Sequence, residues 1–179
     1  MQGNQNIQDH DLINGCLAGD RRSQKELYEK FSAKMYAVCL RYMGNADDAQ
    51  DILQDGFIKV FKNLDKFRSE GSFEGWIRRI MANTAIEQLR RKKINFTVAD
   101  KEEQLELKGA NAVDKLGEKD LLTLVSSLSP GYRTVFNLYV VEGYGHKDIA
   151  DMMHISEGTS KSQLARARMI LQEKIKKMN

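Results

Sequence analysis

Apolar residues recur at helical spacing along almost the whole chain, and nowhere do they alternate with polar ones for long enough to make a convincing strand. A short helix is expected over residues 9–18. A longer one follows over 23–43, with Leu27, Phe31, Met35, Val38 and Tyr42 as its apolar stripe. The sequence GNADDA breaks it. A third helix over 46–63 turns Leu53, Phe57, Val60, Phe61 and Leu64 inward. After the polar loop DKFRSEGS, Ser72 offers a capping hydroxyl to a fourth helix carrying Phe73, Trp76, Ile77, Ile80 and Leu89. Beyond Lys93 the periodicity weakens and charge rises, so residues 94–117 read as a flexible linker able to span up to roughly 80 Å if extended. Helices resume near Glu118, and Ser129-Pro130 opens another by placing a hydroxyl before a proline in the first turn. The fold class is all-α: two small helical domains, 1–93 and 118–179, on either side of the linker.

The most informative stretch is ISEGTSKSQLARARMILQEKI, residues 155–175. Ser156 can cap a helix there, and Glu157 puts negative charge at its positive end. Ser160, Leu164, Ala167, Leu171 and Ile175 then share one face, the side that packs inward. Thr159, Ser162, Arg166 and Met169 lie outward, with Lys161 and Arg168 together on a flank suited to phosphates. The preceding GYGHKDIADMMH gives a second short amphipathic helix with Ile149, Ala150 and Met153 inside. His154 and Ile155 leave room only for a tight turn. Helix, turn and a basic second helix make a helix-turn-helix, the arrangement that enters a DNA major groove. An ordinary helical hairpin with a solvated basic face fits the same spacing.

Charge changes the picture through its clustering, because 28 Lys and Arg against 25 Asp and Glu leave a net charge of only +3. Residues 76–93 hold six bases and one acid, residues 158–177 again six and one, and residues 100–120 hold seven acids and four bases. Two basic helices on either side of an acidic segment point to two separate contacts with a polyanion. Cys16 and Cys39 form no CxxC motif and are expected as buried thiols of a reducing cytoplasm. No apolar run approaches the roughly eighteen residues of a membrane span, so a cytoplasmic protein without membrane insertion is expected.

Two further clusters bear on function. In DDAQDILQDG the acids Asp47, Asp48, Asp51 and Asp55 have no compensating base, and Asp51, Gln54 and Asp55 fall at i, i+3 and i+4 on one exposed face. Such a face repels DNA. It suits basic groups of a protein partner, or is merely solvated; the glycine turn and terminal glutamate of a calcium loop are missing. The fourth helix combines Arg78, Arg79, Arg90, Arg91, Lys92 and Lys93 with Asn83, near the aromatics Phe67, Phe73 and Trp76. Basic grooves with stacking surfaces hold single-stranded DNA. A Trp on an apolar stripe is as readily a core residue.

The ordered motifs DDAQDILQDGFIKVF, GSFEGWIRRIMANTAIEQLRRKK and LSPGYRTVFNLYVVEGYGHKDIADMMHISEGTSKSQLARAR closely resemble the extracytoplasmic-function (ECF) group of bacterial sigma factors in the sigma-70 family. The resemblance implies a specificity subunit of RNA polymerase that recognises promoter elements and promotes melting. It implies that Asp51, Gln54 and Asp55 dock on the clamp helices of the largest subunit. It assigns minus-ten contacts to Arg79, Asn83 and Trp76, and a loop holding an extruded base to the region of Phe67, Arg68 and Ser69. By the same resemblance Thr159, Ser162 and Arg166 face the minus-thirty-five element while Lys161 and Arg168 hold phosphate. The flap of the second-largest subunit is a further implied polymerase contact, and the linker acids Glu102, Glu103 and Glu106 resemble connectors that thread polymerase channels, or form a solvated tether. An anti-sigma factor, in many members membrane-bound, is a further implied partner. Gly145 stands where the family often has a serine cap, and Ser160 where a β-branched apolar residue is usual.

A stand-alone helix-turn-helix regulator would explain the C-terminal motif but neither the acidic face nor the aromatic, basic fourth helix. A nucleic-acid enzyme fits less well, because His10, His146 and His154 are scattered and no Ser or Cys nucleophile pairs with a base. No catalytic residue, metal ligand or cofactor is expected.

Overall fold

The computed structural model describes the backbone of residues 2–92 and 118–178 and the side chains of residues 9–92 and 122–177. Among these every regular element is helical: α1 (Gln2–Leu17), α2 (Arg21–Met43), α3 (Ala46–Lys62), a 3-10 turn (Leu64–Lys66), α4 (Phe73–Arg91), α5 (Glu118–Ser126), α6 (Pro130–Phe136), a π segment (Asn137–Val141), α7 (His146–Met153) and α8 (Glu157–Met178). The expected linker at 94–117, with Glu102, Glu103 and Glu106, lies outside the described residues.

The chain divides into two compact units, one of residues 1–40 and 46–85, the other of 41–45 and 86–179. In the first, the apolar stripes meet as their periodicity requires: Leu27, Phe31, Met35, Val38, Ile52, Leu53, Phe57, Val60, Ile77 and Met81 are all buried. Each such side chain removed from water contributes on the order of 2 kcal/mol. Gly56 lies mid-helix in α3, where glycine costs about 1 kcal/mol relative to alanine. The close approach of α4 explains it, since a Cβ there would collide with the thioether of Met81.

Two helix starts differ from the expected ones. α2 begins at Arg21, before residue 23, because Asp20 caps it: the backbone N–H of Ser23 donates to Asp20 Oδ2 at 2.9 Å and its hydroxyl donates at 2.6 Å. Those bonds hold the Asp20 carboxyl below the ordinary carboxylate range. α1 begins at Gln2, well before residue 9, through a polar stretch where hydrophobic periodicity carries no signal. The Ser72 cap is as expected, with its hydroxyl accepting from Gly75 N–H at 3.0 Å. Cys16 and Cys39 are free, buried thiols, and burial pushes Cys39 up to about 12.

In the second unit Leu124, Leu128, Ala167 and Leu171 form the centre, flanked by Tyr132, Phe136, Ile170 and Ile175. Pro130 occupies the first turn of α6, but the Ser129 hydroxyl makes no capping bond and is buried without a partner; it does not have the capping role expected of it. Arg133 is instead the organising polar group. Its guanidinium donates to the carbonyls of Tyr42 (2.9 Å), Met43 (2.9 Å), Ser126 (2.8 Å) and Leu128 (3.1 Å). Burial pushes its pKa down to about 10, which still leaves a cation at neutral pH. Gly44, at φ +78°, is required twice over: the left-handed backbone favours glycine, and a Cβ would strike that guanidinium.

Candidate nucleic-acid and protein interfaces

On α3, Asp51, Gln54 and Asp55 are all exposed, while Ile52, Leu53, Gly56 and Phe57 between them are buried. The acidic row is thus the outward edge of a helix whose other side is committed to the core. Ile58 extends it at i+7 from Asp51 and is 51% exposed, an apolar side chain beside the carboxylates that the sequence reading did not single out. A row of acids with one exposed aliphatic residue fits a protein surface better than a nucleic acid.

Asn83 and Arg79 are exposed one turn apart on α4. Not every base of this helix is available: Arg78 Nη2 lies 3.3 Å from Glu74, which also holds Lys34 at 2.7 Å, and Arg91 lies 2.5 Å from Glu87. The Lys34 bond is the main cause holding the Glu74 carboxyl below its ordinary range. Below Arg79, the aromatics expected near DNA form one cluster. Phe73 is buried, with its ring 5.0 Å from Phe67, 5.7 Å from Trp76 in a near-parallel stack, and 5.6 Å edge-on to Phe31. Trp76 and Phe67, 5.6 Å apart, are half-buried. Trp76 therefore shares both readings, resting on the core while keeping part of its ring at the surface.

The loop after Phe67 leaves Arg68 and Ser69 exposed, with Ser69 at φ +56°, a left-handed conformation that costs a non-glycine residue about 1 kcal/mol. Beside it is a hollow of about 170 Å³ lined by Phe67, Ser69 and Phe73 and, from α1, by Asp9, His10 and Ile13. Positions 9, 10 and 13 share one helix face. Their part in this wall was not legible in the sequence, because it depends on where α1 packs.

In the second unit the helix-turn-helix forms as expected. His154 ends α7 at φ +55°, Ile155 N–H donates to Ala150 O at 3.0 Å, and the Ser156 hydroxyl caps α8 by accepting from Thr159 N–H at 3.0 Å. Ser160, Leu164, Ala167 and Leu171 are buried, and Gln163 joins them. Lys161, Ser162, Arg166 and Arg168 are exposed, and Thr159 is half-buried. Lys161 stands 3.7 Å from Glu157 in an open pair worth little in water. The Ser162 hydroxyl donates to Thr159 O at 3.0 Å.

The unusual Ser160 has a partner. Its hydroxyl is 2.9 Å from His146 Nδ1, the His146 ring stacks on Tyr139 at 4.6 Å, and the Arg168 guanidinium lies 5.7 Å from the Tyr139 centroid. Tyr139 belongs to the π segment, so α7, α8 and that segment are tied by one polar and aromatic chain. Gly145 caps α7 with extended backbone, φ −72° and ψ 158°, and no side-chain bond.

Comparison with known proteins gives two family matches, Sigma-70 region 2 over residues 27–94 and Sigma-70, region 4 over residues 118–171. The RNA polymerase sigma-H factor of Pseudomonas aeruginosa is 30% identical over 174 residues, covering 90% of each chain. The ECF RNA polymerase sigma factor SigW of Bacillus subtilis is 28% identical over 171 residues, 88% of this chain and 91% of that one. Among solved structures, the sigma factor RpoE from Bartonella quintana, crystallised with the anti-sigma factor NepR, matches with TM-score 0.53 at 25% identity, covering 85% of this chain and 96% of that one. CnrH, solved with the cytosolic domain of CnrY, matches with TM-score 0.52 at 20% identity over 96% and 99% of the two chains, a likeness of fold.

Proposed function

The chain belongs to the ECF group of the sigma-70 family, an RNA polymerase sigma factor, and from that premise we propose which surface performs each part of initiation. The observation that carries the assignment is the separation of charge by face: one exposed helix edge is acidic, while two others on different helices are basic and polar. Residues 1–93 act as the polymerase-docking and minus-ten unit, 94–117 as the linker, and 118–179 as the minus-thirty-five unit.

Asp51, Gln54 and Asp55 dock on the clamp helices of the polymerase, with Ile58 supplying apolar contact at the edge of the row. Arg79 and Asn83 read minus-ten bases; Trp76 supports them, and Phe67, Arg68 and Ser69 hold an extruded base. Thr159, Ser162 and Arg166 read the minus-thirty-five duplex, whereas Lys161 and Arg168 position it on phosphate. The second unit also meets the polymerase flap. The chain supplies recognition and melting in the cytoplasm, and bond formation belongs to the polymerase. An anti-sigma factor is the regulatory partner, a reading supported by the Bartonella sigma factor having been crystallised in complex with the anti-sigma factor NepR.

Charge reversal tests the docking face. Asp51→Lys with Asp55→Lys should alter folding stability by no more than about half a kcal/mol per site, as exposed substitutions do. Co-elution with core polymerase should nevertheless be lost, because like charges then oppose each other across the contact. A folded double variant that still co-elutes would remove this face from the interface.

A further inference from the structure

The hollow beside Ser69 has one wall from the loop and another from α1, and the α1 wall carries polar chemistry with no role assigned above. Asp9 is placed firmly: Lys30 Nζ donates to its Oδ1 at 2.7 Å, its side chain is only 16% exposed, and the second oxygen remains an acceptor. His10 is more exposed, and its Nδ1 lies 3.0 Å from Asn14 Nδ2; in the tautomer where that amide donates to Nδ1, Nε2 carries the ring proton and is a donor. The hollow is thus lined on its α1 side by a largely buried carboxylate and a more exposed imidazole, together with the apolar rings of Phe67 and Phe73.

Resting on the reading of this loop as the holder of an extruded base, we propose that Asp9 and His10 determine which base the hollow accepts, favouring adenine or cytosine over guanine or thymine. A base swung out of the strand enters with its sugar outermost, so its deepest atom is the exocyclic group at the far edge of the ring. In adenine and cytosine that group is an amine, which donates to Asp9, and the neighbouring ring nitrogen accepts from His10. In guanine and thymine both polarities invert: a carbonyl oxygen meets the carboxylate and a ring N–H meets the imidazole N–H. Two matched bonds are set against two unpaired, repelling contacts in a partly desolvated site, where unsatisfied polar groups are most costly. Lys30 neutralises the carboxylate, so the incoming strand meets little net negative charge.

The test is selection with the full-length protein bound to core polymerase, using a library of one active promoter randomised across its minus-ten region. Wild-type protein should enrich A and C over G and T at one position of the upstream edge. Asp9→Asn, whose amide both donates and accepts, should reduce that preference about tenfold at that position alone. His10→Ala should reduce it in the same place. Phe67→Ala distinguishes the two levels of inference by flattening the preference at that position whatever α1 does. If Phe67→Ala changes no position, the base-holding role of the loop fails. If Phe67→Ala flattens one position while Asp9→Asn, with unchanged far-UV circular dichroism, leaves it as in wild type, the α1 wall does not read the base. Enrichment of G or T there in wild type overturns the polarity argument directly.

Discussion

Arg166 and Lys161 are both exposed on α8, yet their chemistry separates them. A guanidinium can bind guanine through two hydrogen bonds and discriminate by about 1–3 kcal/mol, whereas an ammonium on phosphate carries no sequence information. Arg166→Ala should therefore weaken duplex binding selectively at one or two positions of the minus-thirty-five element. Lys161→Ala should weaken all duplexes alike and lower the salt slope by about one. A binding screen over a randomised element at several salt concentrations measures both, and an unchanged base preference in Arg166→Ala would put the reading face elsewhere on the helix. These exposed residues were legible in the sequence because a stripe that fixes the buried face fixes the outward one too. Asp9, His10 and Arg133 were not: an acid and a histidine before an apolar run, or an arginine in a helix, gain meaning only from the wall or the four carbonyls they meet in the folded chain.

The helices themselves followed from periodicity wherever the stripe was continuous, which places α2 and α3 within two residues of their expected bounds, and α4 and α8 start where the Ser72 and Ser156 caps were expected. The π segment Asn137–Val141 had no such signal, since one wider turn leaves the apolar pattern of NLYVV unchanged. Its consequence is local: it presents Tyr139 to His146, which in turn holds Ser160. The helix-turn-helix is thus pinned by a hydrogen bond at a position where the family usually packs a β-branched residue. Ser160→Ala and His146→Ala should each cost about 1 kcal/mol in denaturant unfolding. The double variant should cost less than their sum, with a coupling of at least about 0.5 kcal/mol, because both remove the same bond. Strict additivity would mean that the 2.9 Å contact contributes nothing to holding α7 against α8.

For the whole molecule, three faces of different chemistry must act in one event. On the proposed assignment, the acidic edge of α3, the basic and polar face of α4 and the outward face of α8 have a common purpose only when polymerase and promoter are both present; a stand-alone regulator needs only the last. Run-off transcription with purified core polymerase, on a promoter whose start site has been mapped in cells overexpressing this protein, tests that joint action most directly. Adding the protein should convert an inactive core into one that starts at the mapped nucleotide, and Asp51→Lys with Asp55→Lys should abolish the transcript while leaving duplex binding by the protein alone unchanged. A folded wild-type protein that binds the promoter but yields no transcript with core polymerase, or a reversal variant that transcribes normally, would contradict it.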